Sequence, residues 1–114
     1  MFFLMECRHH AEKDSERDRL RAAHRDWVRS GGGIASVLIG SAIWTEHGRP
    51  TGHFGIIEAE SHRDAKAFAD GDPYSVNGIV AETRLTRLAD TFQERRIDRM
   101  TDGMLLHKNG VRDI

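Results

Sequence analysis

At 114 residues, with 39% hydrophobic and 31% charged content, 11 Gly and 2 Pro, the chain is sized for one domain that buries roughly two-thirds of its unfolded surface and has no material for a second core. Its 17 Lys+Arg meet 18 Asp+Glu for a net charge of −1, with the signs interleaved, which argues against capture of nucleic acid or an acidic membrane by a global field. Cys7 has no second cysteine to pair with, the apolar start Met1 to Met5 is too short for a signal-peptide core, and no stretch has the length of a membrane span, so the expected location is cytoplasmic.

Residues 2 to 7, FFLMEC, predict a first strand, with the polar HHAEKD leading out of it. Ser15 with Asp18 has the form of a capping box, and Leu20, Ala23, His24, Trp27 and Val28 recur on one helical face until Gly31, Gly32 and Gly33 end the helix. The β-branched run Ile34 to Trp44, the polar break through Pro50 and the apolar Gly52 to Ala59 predict a hairpin of strands two and three. Ser61 with Asp64 is a second capping box, Ala65, Phe68 and Ala69 make a short stripe, and Gly71 stands where a helix C-cap belongs. Asp72-Pro73 is expected to be extended or turning, because proline disfavours the α region for the residue before it, and Asn77-Gly78 is a turn ahead of a fourth strand, Ile79 to Leu88. These elements predict a domain over residues 1–92. Residues 93–114 read as a tail, frayed or docked on a partner, with a weak hairpin signal over Met104 to Ile114.

The order β, α, β, β, α, β predicts an α+β, ferredoxin-like fold in which two helices cover one face of a four-stranded antiparallel sheet. Phe2 and Leu4 alternate with Phe3 and Met5 in strand one, and Val37, Ile39 and Ile43 with Leu38, Ala42 and Trp44 in strand two. Both faces are therefore apolar, where a sheet half open to water would show polar residues on one side. The expected cover for the second face is the same face of another copy, a homodimer.

His24 lies on the apolar stripe of helix one, so its ring is expected to face the core or a pocket, where an imidazole needs a partner for at least one nitrogen. Asp72 is the candidate partner, because the loop after helix two approaches the C-terminal half of helix one and Gly71 and Pro73 pin the backbone on both sides. Such a pair serves proton transfer, or else is a structural hydrogen bond. Arg21, three residues before His24, could bind a substrate carboxylate or phenolate or simply pair with Asp18. Ser36 and Ser41 could donate to an oxyanion from the strand under the helices, and Tyr74 could close the pocket. The adjacent His9 and His10 diverge on a strand and give no zinc spacing, Cys7 reads as a small buried hydrophobe, and Gly31 to Gly33 precede a strand where a phosphate loop would open a helix. Neither a metal nor a cofactor is expected.

Arg21-x-x-His24 before a glycine turn, the Gly40 strand, GHFGIIEA followed by SHRDAKAFADGDPY, and the closing ETRLTRL together resemble the YCII-related family over about residues 1 to 92. The resemblance implies a dimeric α+β barrel with His24 and Asp72 as the active-site pair, in a family one type of which is a dehydrochlorinase acting on a hydroxylated ring. Where that family commonly has Gly-Pro in the second strand, this chain has Gly40-Ser41. The functional expectation is acid–base chemistry on a small cyclic or carbonyl compound, with isomerisation or elimination, and the alternative is a noncatalytic small-ligand or interaction module on the same fold. An RNA-recognition module shares the element order but needs exposed aromatics on its third strand, where only Phe54 stands.

Overall fold

The computed structural model describes residues 1–101. The expected hairpin over 104–114 lies outside the described residues. Four strands, β1 (Phe2–His9), β2 (Ala35–Trp44), β3 (Pro50–Ala59) and β4 (Val80–Arg87), form one antiparallel sheet in the order β2-β3-β1-β4. The helices α1 (Asp14–Ser30) and α2 (His62–Gly71) are followed, after α2, by a single turn, α3 (Pro73–Val76). This is the ferredoxin-like arrangement expected from the element order. No helix among the described residues is long and apolar enough to cross a membrane.

The period of two places Phe3, Met5, Cys7 and His9 of β1 toward the helices, where all four are buried. Phe3, Met5 and Cys7 form the core with Val37, Ile57, Ala59, Ala65, Phe68 and Ala69, and Trp27 and Val28 of α1 pack against it. Side chains as fully buried as Phe3, Phe68 and Ile57 contribute on the order of 2–3 kcal/mol each.

The helix boundaries follow local chemistry, with two departures from expectation. Helix α1 begins a residue before Ser15, capped at Lys13 without a side-chain hydrogen bond, and Ser15 instead donates to Glu16. Asp14 and Glu16 complement the helix dipole in that first turn. At the other end Gly31 is left-handed, φ 67°, and its N–H reaches the Val28 carbonyl, as a glycine cap should. Ser61 caps α2 by accepting the Asp64 N–H at 3.1 Å. Gly71, however, is the last helical residue, and Asp72 is the cap. Glycine is required there by close approach: a Cβ on Gly71 would lie 2.6 Å from the Trp27 ring, and one on Gly32 would lie 2.5 Å from it. The indole fills this notch and donates to the Phe68 carbonyl at 3.0 Å.

A β-bulge between Val37 and Ile39 reverses the parity of β2. Val37 faces the helices opposite Ile57, but beyond the bulge Gly40 and Ala42 face them, opposite Gly55 and His53. Ile39, Ser41 and Ile43 turn to the open side, which corrects the alternation expected for Ile39, Ile43 and Ala42. One open-face row therefore reads Ile39, Ile56, Leu4, Thr86 across all four strands.

After β4, residues 88–101 pack against the sheet. Phe92 packs on Phe2 with ring centroids 5.6 Å apart, Arg99 pairs with Glu58 at 2.7 Å, and the N–H groups of Met100 and Thr101 reach the Val37 carbonyl at 2.9 and 3.2 Å. Residues 88–101 thus cross one end of the open face and tie the β4 side to β2.

Substituting Gly71→Ala should displace the Trp27 indole and lower stability by about 1–3 kcal/mol, read as a fall of several degrees in a thermal melt. An unchanged melting temperature would contradict the notch.

Candidate active site

Periodicity carries His24 to the covered side of α1, and the α2–α3 junction brings Asp72 to it. His24 Nδ1 lies 2.9 and 2.8 Å from the two Asp72 oxygens. Asp72 is 3% exposed and also accepts the Tyr74 N–H at 2.9 Å, capping α3. A carboxylate can only accept, so the proton of the His24–Asp72 bond sits on Nδ1, and in the neutral ring the lone pair is then on Nε2. Nε2 has no hydrogen-bond partner among the described residues. The Tyr74 ring stacks on the imidazole, centroids 4.1 Å apart and 5° from parallel, which fixes the plane of the ring. Burial raises the Tyr74 phenol above its ordinary range, with Arg21 opposing, so this ring acts as a neutral platform.

Two histidines from the sheet complete the polar end of the site. His9 Nε2 and His53 Nδ1 are 2.8 Å apart, and buried Arg17 reaches His9 Nδ1 at 3.1 Å while pairing with Asp14. Arginine only donates, so His9 accepts at Nδ1 and donates from Nε2; His53 then accepts at Nδ1 and turns its Nε2–H toward Asp72 Oδ2, 3.8 Å away. Both rings are held neutral. Burial, aided by the Arg17 charge, pushes His9 down to about 4. Burial, only partly opposed by Asp72, pushes His53 down to about 3.

These groups line a cavity of about 440 Å³ between α1 and the sheet, a size suited to a small organic molecule. It exists because the helix-facing positions of β2 and β3 run out of side chain: Gly40 pairs with Gly55, and Ala42 is next to them. Val28, Val37, Phe68 and Met100 supply apolar wall.

Of the residues singled out in the sequence, His24, Asp72 and Tyr74 converge, and Arg21 lines the cavity while pairing with Asp18 at 2.9 Å. Ser41 is on the cavity rim, but its hydroxyl donates to the Ala42 carbonyl. Ser36 lies outside the cavity, on the open face opposite Glu58, and accepts from Arg99 at 2.9 Å. Ser36, ahead of the bulge, faces away from the helices because its neighbour Val37 faces them, and the bulge turns Ser41 the same way, so the expected oxyanion role loses its geometry at Ser36. Arg17 enters the site from α1, and two histidines were missed: His9 because β1 runs two residues further than expected, His53 because strand three was read for aromatics. Their signal was strand parity, since His9 continues Phe3, Met5, Cys7 and His53 precedes Gly55, Ile57, Ala59. Cys7 is buried as expected, and burial pushes its thiol up to about 11. No cluster able to hold a metal occurs among the described residues.

Residues 1–89 match the YCII-related domain. The chain belongs to the YCII-related family. No curated protein sequence matches it. Among solved structures it is similar to 5-chloro-2-hydroxyhydroquinone dehydrochlorinase from Burkholderia phenoliruptrix AC1100, in complex with 2,5-dihydroxybenzoquinone. The identity is 26% and the TM-score 0.67, over 78% of this chain and 94% of that enzyme. This YCII-related chain therefore shares its fold with an enzyme that takes a small cyclic ligand.

The depressed histidines set a pH dependence. With folded values near 4 and 3 against an ordinary 6.5, the unfolded chain binds more protons below pH 6.5, so this stability is present above 6.5 and is lost as the pH falls toward 4. Melting temperature should fall steadily over that window, and His53→Gln, which hydrogen-bonds without titrating, should flatten the fall. An identical pH profile in the variant would contradict the neutral relay.

Proposed function

We propose that this YCII-related protein is a small-molecule enzyme in which His24 Nε2 takes or gives a proton and Asp72 holds the ring in the tautomer that permits it. The observation that carries the reading is the two-oxygen contact of Asp72 with His24 Nδ1, at 2.9 and 2.8 Å, on the wall of a cavity. Tyr74 stacks on the base, and Arg21 borders the space the substrate would fill. The reaction class is isomerisation or elimination on a small cyclic or carbonyl compound. The structural likeness to a dehydrochlorinase favours elimination. There, His24 removes one proton, the released electron pair forms the new π bond, and chloride departs with its bonding pair, so the balance closes without an external oxidant.

A homodimer through the open sheet faces belongs to the same reading. Ile39 and Ile43 are 43% and 39% exposed beside half-buried Leu4, Phe54 and Ile56, an apolar strip of the kind that a second copy covers.

The test of the chemistry is chloride release from 5-chloro-2-hydroxyhydroquinone, alongside a panel of lactones and enol acids. His24→Ala and Asp72→Asn should each cut turnover by about 10²-fold or more with the far-ultraviolet spectrum intact. Turnover that survives His24→Ala, or absence of turnover in the intact protein, would leave the noncatalytic binding module as the better account. For assembly, light scattering should give about twice the 12.9 kDa chain mass, and Ile56→Lys should yield monomer. A monomeric native protein would contradict the sheet-to-sheet dimer.

A further inference from the structure

Helix α1 carries arginine at every fourth position, Arg17, Arg21, Arg25 and Arg29, and all four line the cavity. At 1.5 Å per residue the row extends about 18 Å along one side of the helix. The single carboxylate lining the cavity among the described residues is Asp72, and it is already committed to His24 and the Tyr74 N–H. In a chain of net charge −1, this wall is locally cationic.

The four guanidinium groups are not equivalent. Arg17 pairs with Asp14, Arg21 with Asp18 at 2.9 Å, and Arg29 with Asp26 at 3.4 Å, each an aspartate three residues earlier on the helix. Three residues before Arg25 stands Ala22. Arg25 has no ion pair among the described residues, is exposed, and follows His24 directly. Its charge is the one that the pattern of the helix leaves uncompensated, and it stands at the cavity.

We infer that the cavity takes a small cyclic oxyanion, a ring compound bearing a carboxylate or an ionised enol or phenol, whose charged oxygens pair with Arg25. The inference takes the cavity as the ligand site and so rests on the reading above. The planar guanidinium grips such a group through paired N–H donors, and the apolar wall of Val28, Val37, Phe68 and Met100 receives the ring. Arg21, held by Asp18 in an exposed and therefore weak pair, supports the anion and is not its main anchor.

Calorimetric titration of the full chain with 4-hydroxybenzoate and 2,5-dihydroxybenzoate, each against its neutral methyl ester, tests this directly. The acids should bind about tenfold or more tightly than their esters, and added salt should narrow the gap. Arg25→Gln should bring acid and ester to within about threefold while leaving the ester unchanged, and Arg25→Lys should keep part of the preference. His24→Asn should leave the acid-to-ester ratio intact, so an error about the base appears as surviving turnover and an error about the anion as a lost ratio. Equal binding of acid and ester, no binding of the acids, or a preference abolished by Arg21→Gln and not by Arg25→Gln would overturn the assignment.

Discussion

A carboxylate taken out of water has to be given hydrogen bonds or it costs several kcal/mol, and Asp72 is almost wholly buried at the junction of two helices and the sheet. One of its oxygens accepts the N–H that begins α3, and both lie against Nδ1 of His24 on α1. The backbone around it is shaped for the same purpose. Gly71 lets α2 end flush against Trp27, and Pro73 opens α3 at the position where a missing N–H does no harm. Satisfying this one group therefore fixes the end of α2, the start of α3 and the docking of α1, and the geometry that satisfies it also leaves a basic nitrogen bordering a cavity.

The sheet supplies the rest of the site by two opposite means. At Gly40, Ala42 and Gly55 it withholds side chains, and that shortage opens the cavity. At His9 and His53 it inserts polar rings on the face that carries Phe3 and Ile57 elsewhere. Those rings are tolerable because three of their four nitrogens are hydrogen-bonded, from Arg17 through His9 to His53, the fourth faces Asp72 at 3.8 Å, and both rings stay uncharged. The outcome is a cavity with an apolar wall, a polar end holding one compensated carboxylate, and a row of arginines.

The element order was legible because its punctuation is chemical: a glycine cap at Gly31, a serine cap at Ser61 and an Asp-Pro break at Asp72-Pro73. His24 was legible from helical spacing and Asp72 from its flanking residues. The bulge after Val37 was not, since both faces of β2 are apolar and a one-residue shift leaves no mark in the pattern. That concealed shift misdirected Ser41, whereas Ser36 is on the open face by simple alternation with Val37. His9 was hidden by two extra residues of strand, and His53 by reading strand three for aromatics when its parity held the information. The arginine row was visible in the sequence, but only the cavity distinguishes it from an ordinary solvated helix face.

The central claim is that Asp72 fixes the proton of the His24 ring on Nδ1 and frees Nε2. Long-range nitrogen–proton NMR correlations on the imidazole side chains at neutral pH read this tautomer directly. The account predicts that His24 appears as the Nδ1–H form, in contrast to His9 and His53 as Nε2–H forms, and that Asp72→Asn removes the preference at His24 alone. A His24 ring found as the Nε2–H form in the native protein would contradict it.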